Sequence, residues 1–148
     1  PFGVLLIREG AEVGPAKTWD IGTLARVTDW YQGSDGILGI TAVGTERFRL
    51  LSASRQADGL NVGQIETLPP PPAMPVPDAY AALPTILEPV LDDLGRLYEN
   101  LERRSDDAAW VAWRFAEILP IALHEKQALL ESDDIAASLR TVEQVLHA

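Results

Sequence analysis

Ile21-Gly22-Thr23-Leu24-Ala25-Arg26-Val27 is followed by Gly36-Ile37-Leu38-Gly39-Ile40-Thr41-Ala42-Val43-Gly44-Thr45-Glu46-Arg47-Phe48-Arg49-Leu50-Leu51, and these two runs decide the fold of the first half of the chain. Both read as β-strands. Gly33-Ser34-Asp35-Gly36 lies between them and is made of residues that tolerate the positive φ of tight turns. In the second run Leu38, Ile40 and Ala42 point one way, with Gly39 and Thr41 the other. Phe48 and Leu50 then alternate with Arg47 and Arg49, which predicts one buried face and one solvated face that carries both arginines. No residue in the two runs has the look of a nucleophile, a metal ligand or a phosphate cradle. They read as architecture.

Working outward, Phe2 to Ile7 is apolar and β-rich, Asp58-Gly59 is a strong hairpin signal, and Leu60 to Leu68 returns as a strand. Five short strands with glycine-rich turns predict a small antiparallel barrel or sandwich. Pro69-Pro70-Pro71-Pro72, with Pro75 and Pro77 close behind, ends this half. Consecutive prolines lack amide donors and favour extended geometry, so the run reads as a stiff connector. A ligand for an aromatic-grooved domain is the weaker reading of the same run.

Beyond the prolines the hydrophobic period changes from two to 3.6. Leu83, Ile86, Leu87, Val90, Leu91, Leu94, Leu97, Tyr98 and Leu101 recur at steps of three and four, predicting an amphipathic helix whose first turns are disturbed by Pro84 and Pro89. Ser105-Asp106-Asp107 is a plausible cap for a second helix running to Leu119, where Pro120 stops it. A third helix spans about Leu123 to Leu130, and Ser132-Asp133-Asp134 caps a fourth carrying Ile135, Leu139, Val142 and Leu146 on one stripe. The expected organisation is a β-rich part over residues 1–72 and a helical bundle over residues 73–148.

The chain has 148 residues, 47% apolar and 23% charged, a composition that supports a folded core. No apolar run approaches the ~20 residues that span a bilayer. Cysteine is absent, which excludes disulfides, cysteine-ligated metals and thiol catalysis and makes a reducing, cytoplasmic setting the simple expectation. The net charge is −10, and residues 73–148 carry six basic against fourteen acidic side chains. Such a surface repels a phosphate backbone, so nucleic acid is not an expected partner.

Few side chains invite a chemical reading. His124 and His147 are the only histidines, and His124-Glu125 lacks the second histidine of a metalloprotease helix. Asp106-Asp107 and Asp133-Asp134 fall where helices begin, where carboxylates serve the helix dipole. Arg26, Arg47 and Arg49 read as surface charge. Trp19, Trp30 and Tyr31 flank loops of the β-rich part, and rigid amphipathic aromatics at loop edges are good peptide anchors. Trp110 and Trp113, three apart on one helix face, read as packing residues.

Three motifs in order carry a family resemblance. Phe2-Gly3-Val4-Leu5-Leu6-Ile7-Arg8-Glu9-Gly10 with Glu12-Val13-Gly14 leads into Ile21-Gly22-Thr23-Leu24-Ala25-Arg26. Gly44-Thr45-Glu46-Arg47-Phe48-Arg49-Leu50 follows, and Leu119-Pro120 then precedes Glu125-Lys126-Gln127-Ala128-Leu129-Leu130-Glu131. Together they resemble the N-terminal, substrate-binding domain of Lon proteases. The resemblance implies an α+β fold, a small PUA-like β pseudobarrel followed by a helical bundle, and a stand-alone Lon-N-like protein that recognises polypeptides. The family's opening Leu-Pro-Leu-Phe-Pro strand does not precede Pro1, so the barrel is expected to lack its first strands. No Gly-x-x-x-x-Gly-Lys-Ser/Thr loop is present, and only Lys17 and Lys126 could serve a Ser–Lys dyad. The expected function is therefore non-catalytic, without cofactor or metal. It would recognise unfolded or exposed apolar segments of other polypeptides, alone or beside a protease. A PUA-like RNA-binding protein and an uncharacterised enzyme are the alternatives.

Overall fold

The computed structural model describes residues 1–10, 16–99 and 101–148. Glu12-Val13-Gly14 therefore lies outside the described residues. The architecture is α+β: six strands come first, then four α-helices. The chain divides into two compact units, Pro1–Pro70 and Pro71–Ala148.

The first unit contains β1 (Phe2–Val4), β2 (Ile7–Gly10), β3 (Ala16–Thr18), β4 (Ile21–Gln32), β5 (Leu38–Arg55) and β6 (Asn61–Thr67). The apolar stretch Phe2 to Ile7 is split between two sheets. Conversely, the Leu38–Ala42 and Arg47–Leu50 runs belong to one long strand, β5. An antiparallel sheet has the order β1-β4-β5-β6, and β2 and β3 form a separate ribbon. Both anticipated turns are present. Gly36 and Gly59 have φ of +81° and +91°, and Asp35 and Asp58 each accept a backbone N–H two residues on, at 3.0 Å. The sheet does not close into a barrel: β1 and β6 are both edges among the described residues.

Phe48 holds the strands of this unit in register. It pairs with Gly22 across β4 and β5, and its ring lies so close that a Cβ on Gly3 or Gly22 would meet it at 2.9 Å or 3.0 Å. At Gly22 the same Cβ would also stand 2.2 Å from the Val4 carbonyl oxygen, which is backbone and cannot swing aside. The glycine in Ile21-Gly22-Thr23 thus permits the close approach of β1 to β4.

Arg47 corrects the alternation argument. It is buried, as is Phe48, whereas Arg49 is exposed. Opposite Thr23 and Ala25 the partners on β5 are Arg47 and Gly44, so two residues of β5 face only Leu24. This bulge breaks the period of two at Thr45 and Glu46. Beyond it Arg47 pairs with Thr23 and Phe48 with Gly22 in regular register, so the two side chains point to opposite faces and both faces of β5 are covered there.

In the second unit, α1 (Ala82–Leu94), α2 (Ala108–Ile118), α3 (Leu123–Glu131) and α4 (Ile135–Leu146) follow the predicted order. Leu83, Leu87 and Leu91 of α1 pack with Val111 and Phe115 of α2 and with Leu139 and Val142 of α4. The first helix is shorter than its periodicity suggests, because Gly95 adopts φ +53° directly after Leu94. A 3-10 turn, Gly95–Leu97, comes next. Asp134 caps α4 by accepting the Ala137 N–H at 3.1 Å. Asp107 does not cap α2 in that way; its carboxylate accepts the Met74 N–H at 3.4 Å and ties the linker side to the helix.

Arg103 straddles α1, bonding to Glu88 and, at 2.8 Å, to Asp92, while the Ser105 hydroxyl also donates to Glu88. The Ser105 bond first, and then the Arg103 guanidinium, hold the Glu88 carboxyl below its ordinary value of 4.5. A depressed carboxylate stabilises the fold above its unfolded-state value and ceases to do so as pH falls through the folded one.

Two outcomes follow from these contacts. Gly22→Ala should destabilise the first unit by about 1–3 kcal/mol, the range for forced overpacking, in urea unfolding followed by aromatic near-UV signals. An unchanged midpoint would contradict the close approach. Glu88→Gln should lower stability at about pH 7 and narrow the difference between about pH 7 and about pH 3. An unchanged pH difference would show that the Arg103–Ser105 cluster does not couple to folding.

Candidate functional site

The two units treat apolar surface very differently. The second buries a continuous core. In the first, Ile21, Ala25 and Phe48 are the buried apolar residues among those described. Part of the apolar surface left over lines a groove, and part lies on a projecting ribbon.

The groove has a volume of about 640 Å³ and is walled by Phe2, Leu24, Phe48, Leu50, Val62 and Ile65. That size is within the ~300–1,000 Å³ common for ligand clefts. Residues of both edge strands, Phe2 of β1 and Ile65 of β6, line this one cavity. Ala16 and Thr18 of β3 contribute to the wall.

The ribbon arises from unequal strand lengths. β1 pairs with β4 over Thr23–Ala25, and β6 pairs with β5 only from Phe48 onward. The rest of the hairpin, Val27–Gln32 against Leu38–Ala42, has no further strand beside it among the described residues. Trp30 is directly opposite Ile40, and Leu38, two residues from Ile40, shares their face. These three side chains are 70%, 49% and 60% exposed. The alternation of Leu38, Ile40 and Ala42 is therefore present, but their face is open to solvent.

The aromatic anchors expected from sequence do not form one cluster. Trp30 and Tyr31 are consecutive on β4 and so point to opposite faces. Tyr31 lies across Gly39, where a Cβ would come within 2.3 Å of its ring. Trp19 is half-buried under Arg8, whose guanidinium carbon is 4.5 Å from the ring centre. None of the three lines the groove. The groove residues could not be read from the sequence because they are scattered over five strands; the alternation at Phe48 and Leu50 was the one available signal.

Other candidates have structural surroundings. Trp110 and Trp113 pack against the helical core, and Trp113 Nε1 donates to the Leu129 carbonyl at 3.3 Å. Tyr98 donates to Glu117 at 2.8 Å. Burial, reinforced by the Glu117 charge, pushes the Tyr98 phenol up to about 12. His124 and His147 are exposed at helix ends. Among the described residues no group of three or more histidine, aspartate or glutamate side chains could hold a metal ion. No described helix is long and apolar enough to cross a membrane.

Among the described residues, an antiparallel sheet with an apolar groove is thus followed in sequence by a unit of four helices. Residues 1–148 match the family of the ATP-dependent protease La (LON) substrate-binding domain, and the chain belongs to that family. A crystal structure of the Lon N-terminal domain protein from Xanthomonas campestris is 31% identical, with a TM-score of 0.73, over 97% of this chain and 74% of that one. The N-terminal domain of the Mycobacterium avium complex Lon protease shares the fold at 15% identity, with a TM-score of 0.58 over 97% of this chain and 76% of that one. No curated protein matches the sequence.

Because Trp30 is open to water and its ribbon has no neighbouring strand, Trp30→Ala should change stability by no more than about 0.5 kcal/mol. Urea denaturation checks this. A loss of several kcal/mol would show that the ribbon is packed rather than free.

Proposed function

We propose that this chain is a non-catalytic module that recognises unfolded or exposed apolar segments of other polypeptides. The observation that carries the proposal is the concentration of uncovered apolar surface in the first unit, in a chain of the Lon substrate-binding family. A soluble β unit ordinarily buries one sheet face, and large uncovered apolar patches mark interaction sites. Trp30 and Tyr31 beside the Gly33–Gly36 turn are the first anchors, with Trp19 next. The setting is a reducing cytoplasm, and the role is protein quality control of a bacterial type, exercised alone or beside a protease.

Enzymatic chemistry has little support. The sequence contains no Walker loop, and the apolar groove brings no nucleophile–base pair together. RNA recognition is disfavoured by the net charge of −10. Residues 1–72 and 73–148 act as the β-rich and helical parts of one module.

The purified protein should hydrolyse neither ATP nor casein. It should bind an unfolded polypeptide at micromolar or weaker affinity, about −5 to −8 kcal/mol for a shallow apolar site. Binding should persist in added salt, because apolar burial drives it. Joint replacement of Trp30 and Tyr31 by alanine should weaken it while leaving the helices folded, as seen by tryptophan fluorescence and NMR shift mapping. Tight, salt-sensitive RNA binding, or ATP-dependent proteolysis by a clean preparation, would overturn the proposal.

A further inference from the structure

The first unit uses the same turn twice. Gly33-Ser34-Asp35-Gly36 lies between β4 and β5, and Gln56-Ala57-Asp58-Gly59 lies between β5 and β6. In each, the glycine N–H donates to the carbonyl three residues back, at 3.0 Å for Gly36 and 2.9 Å for Gly59. In each, the aspartate Oδ1 accepts the N–H two residues on at 3.0 Å, and the glycine has a positive φ. An Asp-Gly pair is chemically special. The amide nitrogen after an aspartate can attack the side-chain carboxyl, and a following glycine has no Cβ to hinder that approach.

The surroundings of the two turns differ. A Cβ on Gly59 would stand 3.5 Å from Nη2 and 3.8 Å from Nε of Arg55, so that guanidinium lies over the second turn. A Cβ on Gly36 would meet no described atom within 4 Å apart from its chain neighbours. The opening residue differs as well. Gly33 sets bare backbone beside the Asp35 carboxylate, where a Cβ would stand 2.8 Å from Oδ1, whereas the second turn has Gln56 at that position. With glycine at both ends, the first turn has more backbone freedom to bring the Gly36 nitrogen onto the Asp35 carboxyl carbon.

We propose that Asp35-Gly36 is a site of spontaneous isoaspartate formation, and that Arg55 shields Asp58-Gly59 from the same reaction. The Gly36 nitrogen attacks Cγ of the protonated Asp35 carboxyl. An N–Cγ bond forms, a Cγ–O bond breaks, and the amide proton leaves with the hydroxyl as water. A water molecule then opens the resulting succinimide. Cleavage of the N–Cγ bond returns aspartate. Cleavage between that nitrogen and the main-chain carbonyl carbon of Asp35 gives isoaspartate, whose backbone is one methylene longer. Composition is unchanged overall, and no oxidant, metal or enzyme takes part. The added methylene displaces the Asp35 bond to the Ile37 N–H and the 2.9 Å bond from the Gly33 N–H to the Ile37 carbonyl. Those bonds close the end of the ribbon that carries Trp30 and Tyr31. The modification stands apart from the polypeptide-recognition reading; only its effect on binding rests on that reading.

The test is to age the folded protein for weeks near physiological temperature and pH. Isoaspartate is then located by peptide mapping and by methyl transfer from S-adenosylmethionine with an isoaspartyl methyltransferase. Asp35 should convert several-fold faster than Asp58. Arg55→Gln should raise the Asp58 rate towards that of Asp35, and in concentrated urea the two rates should converge. Asp35→Glu, whose longer side chain closes the ring far less readily, should remove the faster signal. If that variant does not fold as the wild type does, the wild-type comparison of Asp35 with Asp58, folded against unfolded, decides alone. Equal rates in the folded protein, or faster conversion at Asp58, would overturn the proposal. A difference that persists undiminished in urea would overturn its structural cause, and an unchanged Asp58 rate in Arg55→Gln would overturn the shielding. Separated isoaspartate-containing protein should bind an unfolded polypeptide several-fold more weakly than fresh protein. Equal binding would overturn the ribbon's part in recognition while leaving the modification standing.

Discussion

The packing of the Phe48 ring onto Gly3 and Gly22 is the constraint on which the β unit depends. It brings β1, β4 and β5 together at a point where no larger residue fits, and at Gly22 the obstacle to a side chain is the backbone of Val4 itself. Beside Phe48, Arg47 lies on the opposite face of β5 and is also buried, so both faces of the strand are covered at this point. With few other apolar residues buried in the unit, a single aromatic ring carries an unusual share of its order.

The same geometry leaves the uncovered apolar surface of the unit. Residues of both edge strands, Phe2 of β1 and Ile65 of β6, line the same groove. The long hairpin of β4 and β5 runs past its neighbours and becomes a ribbon with one apolar face. Both surfaces follow from strand lengths and register rather than from reactive side chains. Such a site suits the holding of an extended, loosely specified partner, because backbone edges and apolar walls place little demand on sequence.

Much of this organisation was legible in the sequence because it rests on local signals. Asp35-Gly36 and Asp58-Gly59 form turns, the change of hydrophobic period marks the helices, and Asp134 caps the last of them. The features that could not be read depend on distant partners. Arg47 shares its face with the exposed Arg49 and is nevertheless buried, so its cover comes from parts of the chain that alternation does not encode. Whether the Leu38–Ala42 face is covered depends on the reach of β1 and β6, which alternation alone does not encode. Asp107 has the position of a helix cap, yet its carboxylate is engaged by the amide of Met74, far away in sequence. The groove was hidden for the same reason, since its walls come from five strands. Trp19, Trp30 and Tyr31 were recognisable as aromatics near loops, but their separation onto different faces is a property of the pairing.

The central claim is that the open β unit holds extended polypeptide. Amide hydrogen exchange with and without a saturating, permanently unfolded polypeptide tests it most directly. Slower exchange at the β1 and β6 edges or along the Val27–Ala42 ribbon, with the helical amides unchanged, is the result this account predicts. Unaltered exchange throughout residues 1–70 while the polypeptide is bound would contradict it.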